Sequence, residues 1–356
     1  MGSAPLDRDD LRERVDKALS AFLSGQGNRL DAVGPSLSVV QDAAADFLLT
    51  GGKRMRPAFC YWGYRGAGGE GSDAAVAAAA CLELLQAGAL IHDDVMDGSD
   101  TRRGQPAMHR RFAALHRAQA WQGDPDAFGQ SAAVLLGDLC LIWADEMLNT
   151  CGLAPDALRR AQPVYDEMRV ELMAGQYLDL FEQVTGAGTV ESALRVARYK
   201  SAKYTIERPL HLGAVLAGGG ADVLAAYSGY GLPLGEAFQL RDDVLGVFGD
   251  PGETGKPAGD DLREGKRTAL VALALRSAST AQADVVRRHL GDPKLDDDGV
   301  GALRDVIVDT GALARVEELI IELMADALTA LRSAPIEAEA REVLEELASA
   351  ATSRTG

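Results

Sequence analysis

Apolar residues recur along most of the chain at the three- and four-residue spacing of amphipathic helices. Leu11, Val15, Leu19 and Leu23 form the first such stripe. The further helical stretches lie at about 36–49, 57–64, 73–97, 107–121, 129–149, 156–183, 190–216 and 222–248, and from 267 to the end. No alternating segment is long enough to anchor a sheet, and no linker divides the chain. The pattern predicts an all-α protein, a single domain over residues 1–356 built as a bundle of long helices around a central cavity.

Composition and charge then exclude several classes of protein. The 356 residues are 47% hydrophobic, which excludes a disordered chain, and their net charge of −17 argues against a general nucleic-acid binder. The four cysteines form no CxxC pair and lie in apolar stretches, so free thiols in a reducing cytoplasm are expected. No signal peptide is predicted, because residues 1–10 lack a basic region and an apolar region. No membrane span is predicted, because acidic residues interrupt both of the longest apolar runs, 74–91 and 131–148.

Two acidic clusters end apolar helical runs. Asp93 and Asp97 are one helical turn apart on one face, with Asp94 between them. Asp242 and Asp243 repeat the arrangement, except that the position one turn after Asp242 is glycine. Buried carboxylates are costly without a cation, and carboxylate oxygens are ligands of hard divalent ions. The two clusters therefore predict one metal site that faces inward from two helices.

Basic segments accompany these clusters in a chain that is otherwise strongly acidic. The segment 51–57, GGKRMRP, places two glycines before three cations. Arg102 and Arg103 follow the first acidic cluster, and a loop with Lys256 and Lys266 follows the second. Arg and Lys match phosphate oxygens in geometry and charge. The pattern predicts two polyphosphates, one bridged by metal to carboxylates and one held by Lys and Arg.

The ordered set of these motifs resembles the trans-isoprenyl diphosphate synthases, the polyprenyl synthetase family, and geranylgeranyl diphosphate synthases in particular. The resemblance spans about residues 35–335. Its motifs are GGKRxRP at 51–57, DDxxD at 93–97 with RRG at 102–104, GQxxDL at 175–180, a Lys-Ser pair at 200–201, FQxxDD at 238–243, TGKxxxxDL at 254–262 and GKRT at 265–268. It implies an all-helical prenyltransferase, usually a homodimer, that uses three Mg²⁺ ions to join isopentenyl diphosphate to an allylic diphosphate.

The resemblance also implies a role for each matching position. The implied metal ligands are Asp93, Asp94, Asp97, Asp242 and Asp243. The implied contacts of the allylic diphosphate are Arg102, Lys200, Lys256 and Lys266. Those of isopentenyl diphosphate are Gly52, Lys53, Arg56, Gln86 and Arg103. Ser201 and Gln239 would offer polar atoms near the developing carbocation, whereas Gly246 departs from the third aspartate of the second cluster.

Product length is expected to depend on the helix before Asp93. Gly88 and Ala89 are small where farnesyl-forming members tend to have aromatic residues, and Leu85 stands about one turn further back. This favours geranylgeranyl diphosphate over farnesyl or longer products, unless the facing helix supplies the floor. A class I terpene cyclase and a non-catalytic subunit of a heteromeric synthase are the alternatives. The second acidic cluster and the basic segment argue against the first, and the retained aspartates argue against the second.

Overall fold

The computed structural model describes residues 5–185, 188–250, 259–292 and 294–352. The described elements of the N-terminal half are a 3-10 turn Pro5–Asp10, α1 Leu11–Val33, a 3-10 turn Pro35–Leu37, α2 Ser38–Leu49, α3 Met55–Gly66, α4 Asp73–Asp97, β1 Thr101–Arg102, β2 Gln105–Pro106, α5 Met108–Ala118, α6 Pro125–Asn149 and α7 Pro155–Thr185. Those of the C-terminal half are α8 Val190–Val196, a π-helix Ala197–Glu207, α9 Arg208–Ala217, α10 Ala221–Phe248, α11 Asp260–Arg263, α12 Ala269–Ser277, α13 Thr280–His289, α14 Asp297–Asp309, α15 Ala312–Arg332 and α16 Ala338–Thr352. The all-α prediction is confirmed.

Helix α4 is the central element of the bundle. Ser72 caps its first turn by accepting a hydrogen bond from the backbone N–H of Ala75, and Gly98 ends the helix at a φ of 67°. The helix is rich in buried alanine and leucine and packs against α1, α3 and α6. Because α4 is fixed on several sides, its last turn presents Asp93 and Asp97 from a rigid support.

The described apolar residues pack into two buried clusters, and α10 contributes to both. Its first half joins the larger cluster, which surrounds α3, α4 and α9. Its second half joins the smaller cluster, formed with α12, α14 and α15. The helix that ends in the second acidic pair therefore links the two halves of the bundle.

The structure differs from the sequence expectation at two places. The predicted helix over 190–216 is divided by the π-helix, which packs against α7 and brings Lys200 into contact with Asp179 of that helix. The polar loop after α4 contains a two-residue antiparallel hairpin in which Arg102 pairs with Gln105. Arg103 and Gly104 form its turn with positive φ at both residues, 52° and 71°, as a tight right-twisted hairpin requires.

Glycines set the closest approaches around the π-helix. A Cβ atom at Gly175 of α7 would lie 2.4 Å from the backbone nitrogen of Lys200. A Cβ at Gly235 of α10 would lie 2.6 Å from the Cα of Ala202. No real side chain tolerates such distances, so these two glycines allow α7 and α10 to hold the π-helix between them. This close packing explains the glycine at position 175 of the GQxxDL motif.

By length and hydropathy alone, two described helices could cross a membrane, α4 and α6. Within the fold, 72% of the apolar window of α4 is buried, as is typical of a core helix, and 39% of that of α6. The absence of a membrane span therefore remains a prediction. The exposed apolar residues of α6 need a separate explanation.

Candidate active site

A cavity of about 910 Å³ opens between α4, the π-helix and α10, with the basic segment before α3 at one side. Its size is within the usual range for small-molecule sites. Thirteen of the residues predicted from the sequence line it: Gly52, Lys53, Arg56, Gln86, Asp93, Arg102, Arg103, Lys200, Ser201, Gln239, Asp242, Asp243 and Lys266. Residues far apart in the sequence thus meet at one place.

Asp93 lies in a dense network of charges. Lys200 Nζ is 3.1 Å from its Oδ1 and 2.7 Å from Asp179 Oδ2, and the Gln176 amide donates to Asp93 Oδ1 over 2.9 Å. Burial opposes ionisation of Asp93, but the charges of Lys200, Lys266 and Arg102 outweigh it and lower the pKa of the carboxyl group. Asp93 is therefore ionised and available to a cation near neutral pH.

Asp97 has a different environment, although it is only one turn away. Its side chain is 3% exposed, and neither carboxylate oxygen has a hydrogen-bond partner; Lys266 Nζ is 3.7 Å from Oδ2. Burial, followed by the negative charge of Asp93, raises the pKa of Asp97 to about 6. A cation that binds this carboxylate in its protonated form would have to displace a proton.

The second acidic pair lines the opposite wall. Gln239 donates to Asp243 Oδ1 over 2.7 Å, one turn earlier on α10. Burial raises the pKa of Asp243 to about 8 in spite of that hydrogen bond, and the charges of Asp261 and Asp242 act in the same direction. The carboxyl group of Asp243 therefore holds a proton at neutral pH unless a cation replaces it.

The basic segment is held in place by Arg54, a residue of the GGKRxRP motif to which the sequence assigns no separate role. Its guanidinium donates to Asp16 of α1, to the carbonyl oxygen of Leu48 at the end of α2, and to Glu83 of α4, over 2.6–2.7 Å. Its Nη1 would lie 3.0 Å from a Cβ at Gly52, whose φ is 97°. Arg54 thus ties the glycine turn to three helices and fixes the position of Lys53 beside it.

Arg56 and Gln86 are oriented by the π-helix. The Arg56 guanidinium lies 4.5 Å from the ring centroid of Tyr204 and donates to Thr205 Oγ1 over 2.8 Å. The Tyr204 hydroxyl donates to Gln86 Oε1 over 2.8 Å. Gln86 therefore keeps its amide N–H groups for a ligand in the cavity. Arg103 lies 5.6 Å above the ring of Phe47 and completes the basic side.

Several predicted residues lie elsewhere than expected. Asp94 is fully buried and accepts two hydrogen bonds from Arg102, so the structure gives it the task of holding Arg102 rather than facing the cavity with Asp93. Asp97 is likewise absent from the lining and approaches the site through Lys266. Lys256 lies outside the described residues.

The residues chosen for product length do not line this cavity either. A Cβ atom at Gly88 would lie 2.9 Å from the carbonyl oxygen of Gly137 and 2.9 Å from Leu141 Cδ2, both on α6. The small size of Gly88 therefore serves the close packing of α4 and α6, which corrects the view of an open space at this position. Leu85 is fully buried in the core, and Ala89 is half-buried.

The structure also adds residues to the site that sequence reasoning missed. Gln176 and Asp179, which contact Asp93 and Lys200, belong to the GQxxDL motif, to which the sequence alone assigns no chemical role. Glu83 and Asp261 line the cavity. An acid inside the apolar run of α4 was the available signal for Glu83, whereas Asp261 had no signal beyond its place in the TGKxxxxDL motif.

The donor set suits a hard divalent cation, since it consists of carboxylates and includes the unbonded oxygens of Asp97. Across the part of the chain that the structure describes, no three His, Cys, Asp or Glu side chains converge into a complete ligand set. Instead, Lys200, Lys266 and Arg102 neutralise the carboxylates. The residues fit a cation whose remaining ligands come from diphosphate oxygens and water.

A helical bundle that gathers carboxylates and cations around one cavity has the charges that an enzyme acting on diphosphates requires. The polyprenyl synthetase family model matches residues 38–306, and the chain belongs to this family. Its activity class is trans-prenyl transfer. The sequence predictions of family, fold and activity class are confirmed.

Relatives within the family match between two thirds and almost all of the chain. A crystal structure of geranylgeranyl pyrophosphate synthase from Corynebacterium glutamicum, complexed with isoprenyl diphosphate and magnesium, has a TM-score of 0.95 and 43% identity over 98% of this chain and 100% of that chain. The geranylfarnesyl diphosphate synthase of Aeropyrum pernix is 33% identical over 340 residues, 93% of this chain and 96% of the relative. The geranylgeranyl diphosphate synthase of Mycobacterium tuberculosis is 37% identical over 238 residues, 66% of this chain and 61% of the relative.

Proposed function

We propose that the chain joins isopentenyl diphosphate head-to-tail to a dimethylallyl, geranyl or farnesyl diphosphate, with geranylgeranyl diphosphate as the main product. The observation that carries this proposal is a single cavity with carboxylates and lysines on one side and an arginine-anchored basic turn on the other. Two diphosphates could bind there side by side. The names of similar proteins support the same reaction.

The acidic side would receive the allylic diphosphate together with Mg²⁺. Asp93 and Asp97 with Asp242 and Asp243 provide the carboxylates for up to three ions, and Asp94 supports them by holding Arg102. When bound, Mg²⁺ acts as a Lewis acid on the oxygens of the departing diphosphate. The cations that balance the same diphosphate are Arg102, Lys200, Lys266 and Lys256, the last of which lies outside the described residues.

The basic side receives isopentenyl diphosphate. Lys53, Arg56 and Arg103 supply the charge, the backbone at Gly52 permits close approach, and Gln86 supplies an oriented amide. None of these groups changes its bonding during the reaction. Their task is to hold the alkene of isopentenyl diphosphate at attacking distance from the allylic carbon, which removes much of the entropic cost of the encounter.

The reaction breaks the allylic C–O bond and one C–H bond and forms a C–C bond, while the electrons of the broken C–H bond shift the double bond of isopentenyl diphosphate by one position. The allylic C–O bond breaks, and its electron pair leaves with pyrophosphate. The alkene electrons of isopentenyl diphosphate form the new C–C bond, and one proton passes from the adjacent carbon to the released pyrophosphate. Leu90 and Phe238 in the cavity wall exclude water from the allylic cation, while Ser201 and Gln239 offer polar atoms near it.

The product length is tested by incubating the purified protein with labelled isopentenyl diphosphate and each allylic primer in turn. We expect geranylgeranyl diphosphate to be the main product, formed from all three primers. If the prenyl chain extends along α4 beyond the cavity, Ala89→Phe should shorten the product, because Ala89 follows Gln86 by one turn of the same helix, whereas Ala89→Ser should leave it unchanged. A wild-type product no longer than farnesyl diphosphate would overturn the assignment of length but not that of the reaction.

A homodimer is also proposed, supported by two apolar stripes that the described part of the chain leaves uncovered. On α6, Leu135 and Ile142 are 64% and 60% exposed, and on α7, Val170 and Tyr177 are 68% and 67% exposed. An ion pair of 3.3 Å between Asp145 and Arg169 joins the two helices. Exposed apolar residues in such number mark an interaction surface, and a second copy would cover the exposed part of α6.

We expect the wild-type protein to have twice the mass of the chain in light scattering after gel filtration. The double variant Leu135→Lys/Ile142→Lys should be monomeric, because the introduced charges would be buried without partners in the interface. Ile321→Lys is the matched control, since Ile321 is 69% exposed on α15 and should not affect the mass. A wild-type monomer, or a dimer that survives the double substitution, would contradict this interface.

A further inference from the structure

The second acidic cluster lacks a third carboxylate in the sequence, and the structure shows what occupies its place. A Cβ atom built at Gly246 would lie 1.9 Å from Oδ2 and 2.6 Å from Cγ of Asp261. A side chain at position 246 would therefore require the Asp261 carboxylate to move. Position 246 is one turn after Asp242, which is where a third carboxylate of the cluster would begin.

Asp261 belongs to α11 and lines the cavity together with Asp242 and Asp243. Its negative charge reaches the same wall, since it is one of the causes, after burial, that raise the pKa of Asp243. Asp261 of α11 therefore places a carboxylate at the position where α10 lacks one.

Asp261 also lies where the two acidic clusters approach each other. Lys266 Nζ is 3.3 Å from Asp261 Oδ1 and 3.7 Å from Asp97 Oδ2, so one ammonium group stands between both carboxylates. The Asp97 side chain is almost completely buried, and neither of its oxygens has a hydrogen-bond partner. Such a buried, unbonded carboxylate facing Lys266 is an independent sign that the region is built for a further cation.

We propose that Asp261 supplies the third carboxylate of the second acidic cluster and helps to hold a divalent cation with Asp242, in the space that Gly246 leaves free. The inference rests on the proposed function, which places diphosphate-bound cations at this wall. It assigns a binding task to Asp261 of the TGKxxxxDL motif and explains why glycine at 246 leaves the cluster complete.

A purely structural role would make Asp261 only the partner of Lys266, and Glu264 provides the matched control. Glu264 Oε2 is 2.6 Å from Lys266 Nζ, but Glu264 does not line the cavity. Both variants, Asp261→Asn and Glu264→Gln, therefore remove one negative charge beside Lys266, and only the first removes a carboxylate from the cavity wall.

The test is the binding of Mn²⁺ to the full chain in the presence of inorganic pyrophosphate, measured by electron paramagnetic resonance. We expect Asp261→Asn to weaken Mn²⁺ binding about tenfold or more and Glu264→Gln to change it less than about twofold. Equal losses in the two variants, or unchanged binding in Asp261→Asn, would overturn the inference. No Mn²⁺ binding by the wild-type protein would instead count against the metal site of the proposed function.

An exchange of the two positions gives a second measurement. Gly246→Asp/Asp261→Gly should bind Mn²⁺ more tightly than Asp261→Gly alone, since the carboxylate returns from α10. Circular dichroism checks that each variant folds. A folded exchange variant no better than Asp261→Gly would contradict the proposal, and if it fails to fold, the Asp261→Asn comparison decides.

Discussion

Asp93→Ala is expected to lower turnover by about a thousandfold or more, while the helical fold persists. The size of the effect follows from the loss of electrostatic stabilisation where charge develops on the leaving diphosphate. The fold should persist because each basic partner of Asp93 keeps a second acidic partner. Lys200 retains Asp179 at 2.7 Å, and Arg102 retains Asp94. Steady-state kinetics with both diphosphates and circular dichroism measure the two parts of the prediction.

The chain supplies its own control for this experiment. Asp9, Asp10 and Glu13 repeat the acidic spacing of Asp93–Asp97 at the N-terminus of α1, and Glu13 is exposed to solvent. Glu13→Ala removes a carboxylate from the same pattern outside the cavity that Asp93 lines and should leave turnover unchanged. Near-normal turnover of Asp93→Ala would refute the metal assignment, and an unfolded variant would move the test to the isosteric Asp93→Asn.

The contrast between these two acidic patterns shows how far the sequence predicts the site. Spacing alone could not separate them, but the apolar run before Asp93 could, since burial of carboxylates requires compensating charge. The structure supplies that charge from Lys200 and Lys266, which are 107 and about 170 residues further along the chain. The motifs indicated which residues belong to the site; the pairing between them depends on the packing of whole helices.

Gly88 and Gly246 show why the remaining features were beyond the sequence. The sequence suggests room for a prenyl chain at Gly88 and the loss of a metal ligand at Gly246, in both cases because glycine has no side chain. In the structure each glycine is small because another group is already there: the backbone of Gly137 with Leu141 at the first, and the carboxylate of Asp261 at the second. The neighbour of a glycine is a property of tertiary packing, and no local pattern encodes it.

Arg54→Met should lower the free energy of unfolding by about 3–5 kcal/mol, the usual cost of leaving a buried charge without its partner. The side chains of Arg54 and Glu83 are 3% and 7% exposed, and Arg54 Nη1 donates to Glu83 Oε2 over 2.6 Å. The substitution would leave the buried Glu83 carboxyl group without its guanidinium partner and the carbonyl oxygen of Leu48 without its donor. Urea titration followed by circular dichroism measures the change.

The double variant Arg54→Met/Glu83→Leu tests whether the loss comes from the abandoned charge or from the lost contact. If the charge dominates, the double variant should be more stable than Arg54→Met, because apolar side chains of similar size can replace a buried ion pair at little cost. Arg195→Met is the control, since Arg195 pairs with Glu191 at 3.0 Å but both side chains are more than half exposed, and it should change the free energy by less than about 0.5 kcal/mol. A double variant less stable than Arg54→Met would instead mean that the contacts of Arg54 and Glu83 with α1, α2 and α4 stabilise the bundle independently of their mutual attraction. Arg54 would then support the basic turn through three separate contacts, and its replacement should also weaken the binding of isopentenyl diphosphate.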